Sequence, residues 1–301
     1  MIAAEHWPTS EIYEISSPSA HSGNFIRMRA DALANRLKLP ATKVTAYSCV
    51  LSTHEDGSFS YHEQATPADM INYSRKVVGV LSARSIMSCG LRTRWVLGAD
   101  ALLELRQRHR SRISFNAALP LSHWTDPSIP VVNTAPIAVA AGILDIPLSV
   151  IPAHSAIIVR APVPASDSSL SVTLYVPSPA IPVTRITLSE GWLVLELNRA
   201  GYPDSAAIEF ARKALGLLPH EIGAAQRTVQ PSKLAPQTEE IRTLIYAMSA
   251  NYNVWSLGRH ATARHDVLIE HLPHDCEVID KFLILRSGSC QYKSLIGAIK
   301  S

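Results

Sequence analysis

The alternation of apolar and polar residues divides the chain into segments of different kinds. KVTAYSCVLST at 43–53 alternates as a strand does, and ATPADMINYSRKVVGVL at 65–81 carries apolar residues at helical spacing, with Thr66 and Pro67 as an N-terminal signal. From His154 to Asn198 the pattern is that of successive strands. Further helices are predicted at 99–109, 204–216 and 237–250. The pattern predicts α/β pieces around a mostly antiparallel β insertion, with SEG at 189–191 as a hairpin turn.

The first residues, MIAAEHWPTSEIYEIS, predict a helix, a turn and a short strand that ends at Glu14. A helix followed by a strand ending in a carboxylate is typical of the second half of a dinucleotide-binding βαβ unit. The strand and Gly-rich turn of the first half are missing before it, so Met1 would lie inside the helix that should follow the glycines. Glu14 can accept hydrogen bonds from both hydroxyls of an adenosine ribose. The alternative is an exposed Glu at a strand end.

Two later segments also run from a predicted strand through polar residues towards a helix. SIPVVNTAPIAVAAGI is a short strand that runs through Thr134 and Pro136 into a small-residue helix, where open α/β sheets place ligands. Thr134 would bring backbone close to the adenine side of a cofactor, or it belongs to an ordinary turn. Gly258 and Arg259 precede the last long helix, so their backbone N–H groups and guanidinium can meet a pyrophosphate or a flavin.

Arginines in predicted strands are the other candidate ligand-binding residues. Arg27 and Arg29 in FIRMR point the same way if the segment is extended and would then clamp a phosphate or carboxylate; otherwise they are surface charges. Arg160, Tyr175 and Arg185 lie on successive predicted strands of the β insertion. If they share a face, they can bind a substrate carboxylate or phosphate.

Composition narrows the function classes. The chain has 301 residues, 47% of them hydrophobic, which is enough for a sizeable core, and no apolar run is long enough to cross a bilayer. A soluble, cytoplasmic protein is therefore expected. The net charge of +3 does not by itself indicate nucleic-acid binding, although basic residues cluster between Arg75 and Arg112. The 4 cysteines and 12 histidines show no metal-ligand spacing, and no hydrolase or kinase motif assigns a catalytic residue.

Four pieces together resemble a group of FAD-dependent proteins, the UDP-galactopyranose mutase and glutathione-reductase-like flavoproteins. The pieces are the opening helix and strand, NTAP at 133–136, the strands AIIVRAPV, SVTLYVPS and VTRITLSEGWLVLEL, and SLGRHATAR at 256–264. NYSRKVVG at 72–79 and ARSI at 83–86 resemble phage flavoproteins, among them FAD-dependent lyases of thymidine hypermodification.

This resemblance implies a Rossmann-like FAD-binding core with an inserted antiparallel substrate domain. The core would comprise residues 1–45, 111–153 and 236–301, and the substrate region 46–110 and 154–235. FAD would be held by Glu14, Arg27, Arg29, Thr134, Gly258 and Arg259. In the phage-lyase interpretation, which places the protein in the host cytoplasm, the flavin would take a hydride from the Cα of a glycine attached through its nitrogen to the thymine methyl carbon of modified double-stranded DNA. Hydrolysis of the resulting imine would release glyoxylate and leave an aminomethyl base.

Two other interpretations stay open. The chain can be a sugar mutase or another small-molecule flavoenzyme on the same scaffold, which would bind FAD and ignore DNA. It can also be a degenerate flavoprotein that acts as a non-catalytic partner, because the Gly-rich turn is missing and HATAR at 260–264 has no aromatic residue. Losing the backbone donors to a pyrophosphate would cost about 1.5–3 kcal/mol per charge-assisted hydrogen bond. The catalytic residues and the oligomeric state are not assigned.

Overall fold

The computed structural model describes residues 2–14, 26–81, 89–97, 100–149, 153–164, 169–234, 237–264 and 269–287. Its strands are β1 Ile12–Glu14, β2 Ile26–Met28, β3 Ala41–Thr53, β4 Phe59–His62, β5 Gly90–Leu97, β6 Ile113–Phe115, β7 Val131–Asn133, β8 Ala153–Pro162, β9 Leu170–Tyr175, β10 Val183–Ser189, β11 Trp192–Leu197, β12 Gln226–Leu234 and β13 Val254–Ser256. Its α-helices are α1 Ile2–His6, α2 Ala32–Leu37, α3 Pro67–Val78, α4 Ala101–Arg108, α5 Leu121–Thr125, α6 Ile137–Ile143, α7 Asp204–Leu215, α8 Glu239–Tyr252 and α9 Leu272–Ser287. The ARSI motif at 83–86 lies outside the described residues.

The chain divides into two compact units. Unit 1 comprises Met1–Ser17, Glu104–Ile151 and Pro236–Ser301, and unit 2 comprises Pro18–Leu103 and Pro152–Ala235. Each unit is thus built from segments that are distant in sequence. Their roles as cofactor-binding core and substrate region remain predictions.

Unit 2 contains one large sheet in the order β12-β8-β11-β10-β9-β3-β5-β2, with β4 paired to β3. Its pairings are antiparallel apart from β3 with β9, which are parallel, so the predicted antiparallel insertion is confirmed. The strand order differs from a simple meander, because β8 lies between β11 and β12 and not beside β9. Glu190 and Gly191, both with positive φ, form the predicted hairpin turn between β10 and β11.

One face of this sheet forms an apolar core with α7. Small residues on the helix face the sheet, which allows the helix backbone to approach it closely. The helix contributes Ala207, Ala211 and Ala214, and the strands contribute Ile157, Val159, Ile186, Leu193 and Leu195, all buried. The opposite face carries polar side chains, described below.

Helix α3 shows why local sequence predicted its bounds well. Thr66 accepts a hydrogen bond from the N–H of Asp69, whose carboxylate accepts one from the N–H of Thr66, and Pro67 occupies the first helical position. Gly79 ends the helix in the left-handed conformation. Thr66 and Pro67, which the sequence predicts as the N-terminal signal, therefore begin this helix.

Unit 1 is built on two pairs of parallel strands, β1 with β6 and β7 with β13. Helices α6 and α8 pack together through Ile137, Ala140, Ile241, Leu244 and Met248, beside the second pair. The predicted α/β class is confirmed. In the described part of the chain, no helix has the length and apolar character that a membrane span requires.

Candidate cofactor and substrate sites

The carboxyl ends of β7 and β13 meet in what we call the strand-end corner, residues 133–137 and 256–260. Beyond the last paired residues, the N–H of Leu257 donates to the carbonyl of Asn133 at 2.8 Å. The N–H of Ile137 donates to the carbonyl of His260 at 3.0 Å. These two bonds bring together two segments more than one hundred residues apart in sequence, and both contain predicted cofactor-binding residues.

Asn133 gives the first half of the strand-end corner its shape. Its buried side chain accepts a hydrogen bond from the N–H of Ala135 at 3.0 Å and donates one to the Ala135 carbonyl at 3.2 Å. This local turn leaves Thr134 exposed at its tip. Asn133 is paired in register with Ser256, whose buried hydroxyl has no hydrogen-bond partner among the described residues.

Gly258 gives the second half its shape. Its φ of +88° is in the left-handed region, and its carbonyl accepts hydrogen bonds from the N–H and the hydroxyl of Thr262. The chain after Gly258 forms a hydrogen-bonded turn, and among the residues that the structure describes the next α-helix is α9, which begins at Leu272. The sequence placed Gly258 and Arg259 directly before a helix. Their available donors are therefore those of a turn, not of a helix N-terminus.

The strand-end corner contains one permanently charged side chain, that of Arg259. Arg259 is half-buried and lies next to His260. Burial, with a contribution from the Arg259 charge, lowers the pKa of His260. The lowered pKa disfavours the charged form of this imidazole, so Arg259 is the residue of the corner that can attract an anionic ligand.

Glu14 ends β1 as predicted, and it lies against α4. One carboxylate oxygen, Oε1, accepts a hydrogen bond from Nη2 of Arg106. The other oxygen, Oε2, and Nη1 of Arg106 are both buried, and neither has a partner in the described part of the chain. The side chains of Glu14 and Arg106 are only 23% and 11% exposed. The site is thus a partly buried ion pair with one acceptor and one donor unsatisfied.

Arg108 and Arg112, two residues of the basic cluster between Arg75 and Arg112, make contacts inside unit 1. Arg108 forms ion pairs with Glu5 and Glu104. Arg112 donates to the backbone carbonyls of Ala4, Trp7 and Ser10. These contacts fasten α1 and the following turn to the 104–112 region inside unit 1.

His109 completes this network. Its Nδ1 lies 2.7 Å from Nη2 of Arg112, which can only donate, and its Nε2 lies 2.9 Å from Oε1 of Glu5, which accepts. The ring therefore carries its proton on Nε2. The imidazole thus bridges the carboxylate of Glu5 and the guanidinium of Arg112.

The polar face of the unit 2 sheet contains the three predicted substrate residues. Arg185 is the direct cross-strand partner of Tyr175 and of Glu196. Two residues further along, Thr187 pairs with Val194, which pairs with Arg160, so Arg160 lies on the same face. Apolar Ile158 and Val194 share this face, and we define the polar face by its other side chains: Arg160, Ser171, Thr173, Tyr175, Arg185, Thr187, Ser189, Trp192 and Glu196.

Contacts on the polar face distinguish its two arginines. Arg185 forms an ion pair with the buried Glu196, and the carboxylate raises its pKa against the effect of burial. Arg160 lies with its guanidinium carbon 4.2 Å from the centroid of the Trp192 ring, a cation–π contact. The buried hydroxyl of Ser189 has no hydrogen-bond partner among the described residues. Substrate binding by Arg160, Tyr175 and Arg185 remains a prediction.

Arg27 and Arg29 belong to unit 2, whereas both segments of the strand-end corner belong to unit 1. Arg27 is in β2, which pairs with β5, but its side chain lies outside the described residues. Arg29 follows the strand and is exposed. Their role in holding a cofactor phosphate stays a prediction.

Several site residues were missed by sequence reasoning. Arg106 was treated as one of a basic cluster, because nothing local indicates that it contacts a carboxylate 92 positions away. Glu196 alternates with apolar residues in β11 and gives no sign of its contact with Arg185. Asn133, in contrast, stood in the quoted NTAP motif, where an Asn before a turn is a recognisable signal.

Within the described ranges, no three His, Cys, Asp or Glu side chains are close enough to hold a metal ion.

Comparison with known proteins identifies the fold. No protein-family model matches the sequence, and no curated protein was found that matches it. Solved structures do match: the reduced form of UDP-galactopyranose mutase superposes with a TM-score of 0.60 and 13% identity, over 94% of this chain and 92% of that one. A putrescine oxidase variant redesigned in its cofactor binding superposes with a TM-score of 0.53 and 11% identity, over 93% and 96% of the two chains. At this identity the likeness is one of fold, and this chain shares the fold of these two enzymes over nearly its whole length.

Proposed function

We propose that this protein binds FAD in unit 1 and is a flavin-dependent oxidoreductase acting on a small molecule. The observation that carries the proposal is the strand-end corner, where Thr134, Gly258 and Arg259 lie together at the carboxyl ends of two parallel strands. Ligands of open α/β sheets bind at such ends. The fold shared with UDP-galactopyranose mutase supports the same conclusion.

The residues present fit FAD in chemical character. Glu14 offers an unsatisfied buried acceptor, and Arg106 offers an unsatisfied buried donor, as a ribose site requires. The turn at Gly258 and the charge of Arg259 suit a pyrophosphate or the flavin. When bound, FAD supplies the redox chemistry through its isoalloxazine ring, so the protein needs no nucleophile of its own.

The substrate, in this proposal, is recognised by the polar face of unit 2. Because the carboxylate of Glu196 neutralises Arg185, Arg185 would orient the substrate more than it would attract it by charge. Arg160, whose guanidinium lies over the Trp192 ring, can donate to a substrate carboxylate or phosphate, with Tyr175 and the serine and threonine hydroxyls as further hydrogen-bonding groups. This combination suits a compact, polar, anionic molecule.

A modified thymine in double-stranded DNA receives less support as the substrate. It would require the basic residues between Arg75 and Arg112 to hold DNA phosphates. Arg106, Arg108 and Arg112 are instead engaged with carboxylates and backbone carbonyls in unit 1. The DNA lyase reaction is therefore less well supported than a reaction on a small molecule.

The absorption spectrum of the purified protein tests the proposal. We expect a flavin band near ~450 nm, either as purified or after incubation with FAD and gel filtration. Heat-released cofactor should be FAD and not FMN on chromatography. A folded protein that stays colourless after incubation would contradict the proposal and favour a non-catalytic partner. Retention of the flavin with no effect of added DNA on its reduction would favour the small-molecule form.

A further inference from the structure

Two exposed histidines lie on one face of the hairpin formed by β3 and β4. Ser52 pairs with Ser60 in this hairpin, and side chains two positions apart along a strand point to the same face. His54 follows Ser52 by two positions and His62 follows Ser60 by two, so both imidazoles share a face with the Ser60 hydroxyl. The N–H of His54 donates to the carbonyl of Ser58 at 3.0 Å, which continues the pairing beyond β3. The backbone of the hairpin therefore determines which side carries the two histidines.

Both imidazoles converge on the same hydroxyl oxygen. Nε2 of His54 lies 2.7 Å from Oγ of Ser60, and Nε2 of His62 lies 3.2 Å from it. The two nitrogens are therefore no farther apart than these two distances combined. A serine hydroxyl has one hydrogen and can donate it to only one of them at a time. Both histidines are exposed, so ions in solution can reach the pair.

We propose that His54 and His62 bind a divalent transition-metal ion, with water as the remaining ligands. Imidazole nitrogen is the commonest metal ligand in proteins, and it suits Zn²⁺, Cu²⁺ and Ni²⁺. At a metal–nitrogen distance of ~2.0–2.1 Å, tetrahedral geometry places the two nitrogens roughly 3.3 Å apart, which lies within the limit set by Ser60. This inference goes beyond the proposed function, because neither histidine is among the residues that define the strand-end corner or the polar face.

The hairpin turn adds negative charge beside the two imidazoles. It contains the carboxylates of Glu55 and Asp56. Hydrogen bonds from the hydroxyl and the N–H of Ser58, at 2.6 and 2.9 Å, lower the pKa of Asp56, with a smaller contribution from His54. The ionised carboxylate therefore favours a cation at this end of the hairpin, while Ser58 holds it in the turn.

Two protein ligands make this an open site from which the ion can exchange with solvent. Structural zinc sites use four protein ligands and catalytic sites three, and no such group of His, Cys, Asp or Glu occurs in the described ranges. Cu²⁺ should bind more tightly than Zn²⁺, whereas Mg²⁺, which prefers oxygen ligands, should not compete. The positions of His54 and His62 in the sequence show no metal-ligand spacing, because the strand pairing brings them together.

Calorimetric titration of protein without an affinity tag tests the site with Zn²⁺ as the probe. We expect one Zn²⁺ per chain, with binding at least ~10-fold weaker in His54→Gln and in His62→Gln. His220→Gln is the matched control, because His220 is also exposed but lies in the short turn at 219–221 after α7. That variant should keep the affinity of the unmodified protein.

Electron paramagnetic resonance of the Cu²⁺-loaded protein provides a second readout. The spectrum should show splitting from two imidazole nitrogens in the unmodified protein and from one in either single variant. Circular dichroism checks that the variants are folded. If a variant does not fold, the nitrogen count in the unmodified protein still decides, and fewer than two imidazole nitrogens would contradict the site.

Two calorimetric results would overturn the inference. The first is Zn²⁺ binding by the unmodified protein that is no tighter than binding by the folded double variant His54→Gln with His62→Gln. The second is a loss of affinity in His220→Gln as large as that in His54→Gln, because the ion would then be bound by histidines outside the hairpin.

Discussion

The backbone N–H of Leu257 donates a hydrogen bond of 2.8 Å to the carbonyl of Asn133. Through this bond, the turn that contains Thr134 and the turn that contains Gly258 become one local structure. Parallel pairing of Ser256 with Asn133 sets the register that makes it possible. The proposed cofactor site therefore depends on long-range pairing of two three-residue strands, and substitutions in either turn should affect it.

Substitution of Gly258 separates backbone strain from cofactor binding. Gly258 has φ +88° and Gly216, at the end of α7, has φ +69°. Alanine is strained at either position, so both Gly258→Ala and Gly216→Ala should lower the free energy of unfolding by about 1 kcal/mol or more. We expect only Gly258→Ala to weaken FAD binding, as measured by flavin fluorescence. Equal FAD affinity in the two variants would remove Gly258 from the site.

Lys76 should make the stability of the protein depend on pH. Its ammonium group donates to the carbonyls of Val176, Ser178 and Val183 at 2.7–2.8 Å, and burial lowers its pKa to about 7. An unfolded lysine titrates near ~10.4, so the unfolded chain holds more protons than the native one between these values. Native stability contributed by this group must therefore rise with pH in that window.

Comparison with Lys76→Met measures this effect. Relative to that variant, the free energy of unfolding of the unmodified protein should increase by up to about 1.4 kcal/mol per pH unit above pH ~7. Urea unfolding at a series of pH values provides the measurement. At a single pH near neutrality, Lys76→Met should also be destabilised, because the three carbonyls lose the hydrogen bonds that the Lys76 side chain donates. Parallel pH curves for the two proteins would show that the three carbonyls hold the ammonium charged throughout.

The pair of Arg185 and Glu196 should be a structural part of the polar face. Glu196 is buried, and Arg185→Met would leave its carboxylate without this cation. We expect a loss of about 2 kcal/mol in unfolding free energy, less than for a fully buried pair because the Arg185 side chain is 36% exposed. The double variant Arg185→Met with Glu196→Leu should recover most of it. A double variant that is as unstable as the sum of both single variants would mean that the two side chains are not coupled.

Local sequence signals predicted the elements better than their pairing. The N-terminal signal at Thr66 and Pro67, the hairpin turn at Glu190 and Gly191, and the strand-to-helix junction at Thr134 were recognisable because each depends on a few adjacent residues. β12 was not predicted, since Pro231 interrupts its strand pattern and the structure accommodates it at a register shift on an edge strand.

Non-local partners could not be read from the sequence. The parallel pairing of β3 with β9 joins residues more than one hundred positions apart, and alternation gives the faces of a strand but not its neighbours. For the same reason Glu14 was identified as a candidate without Arg106. The types of residue in the site were thus predictable, while the contacts that determine their chemistry were not.

Equilibrium titration of flavin-free protein with FAD tests the central claim most directly. The account predicts saturable binding to a single site per chain, seen as quenching of flavin fluorescence. Affinity should be lowered in Glu14→Gln and Gly258→Ala and unchanged in Gly216→Ala. Absence of saturable FAD binding by the folded, unmodified protein would contradict the account.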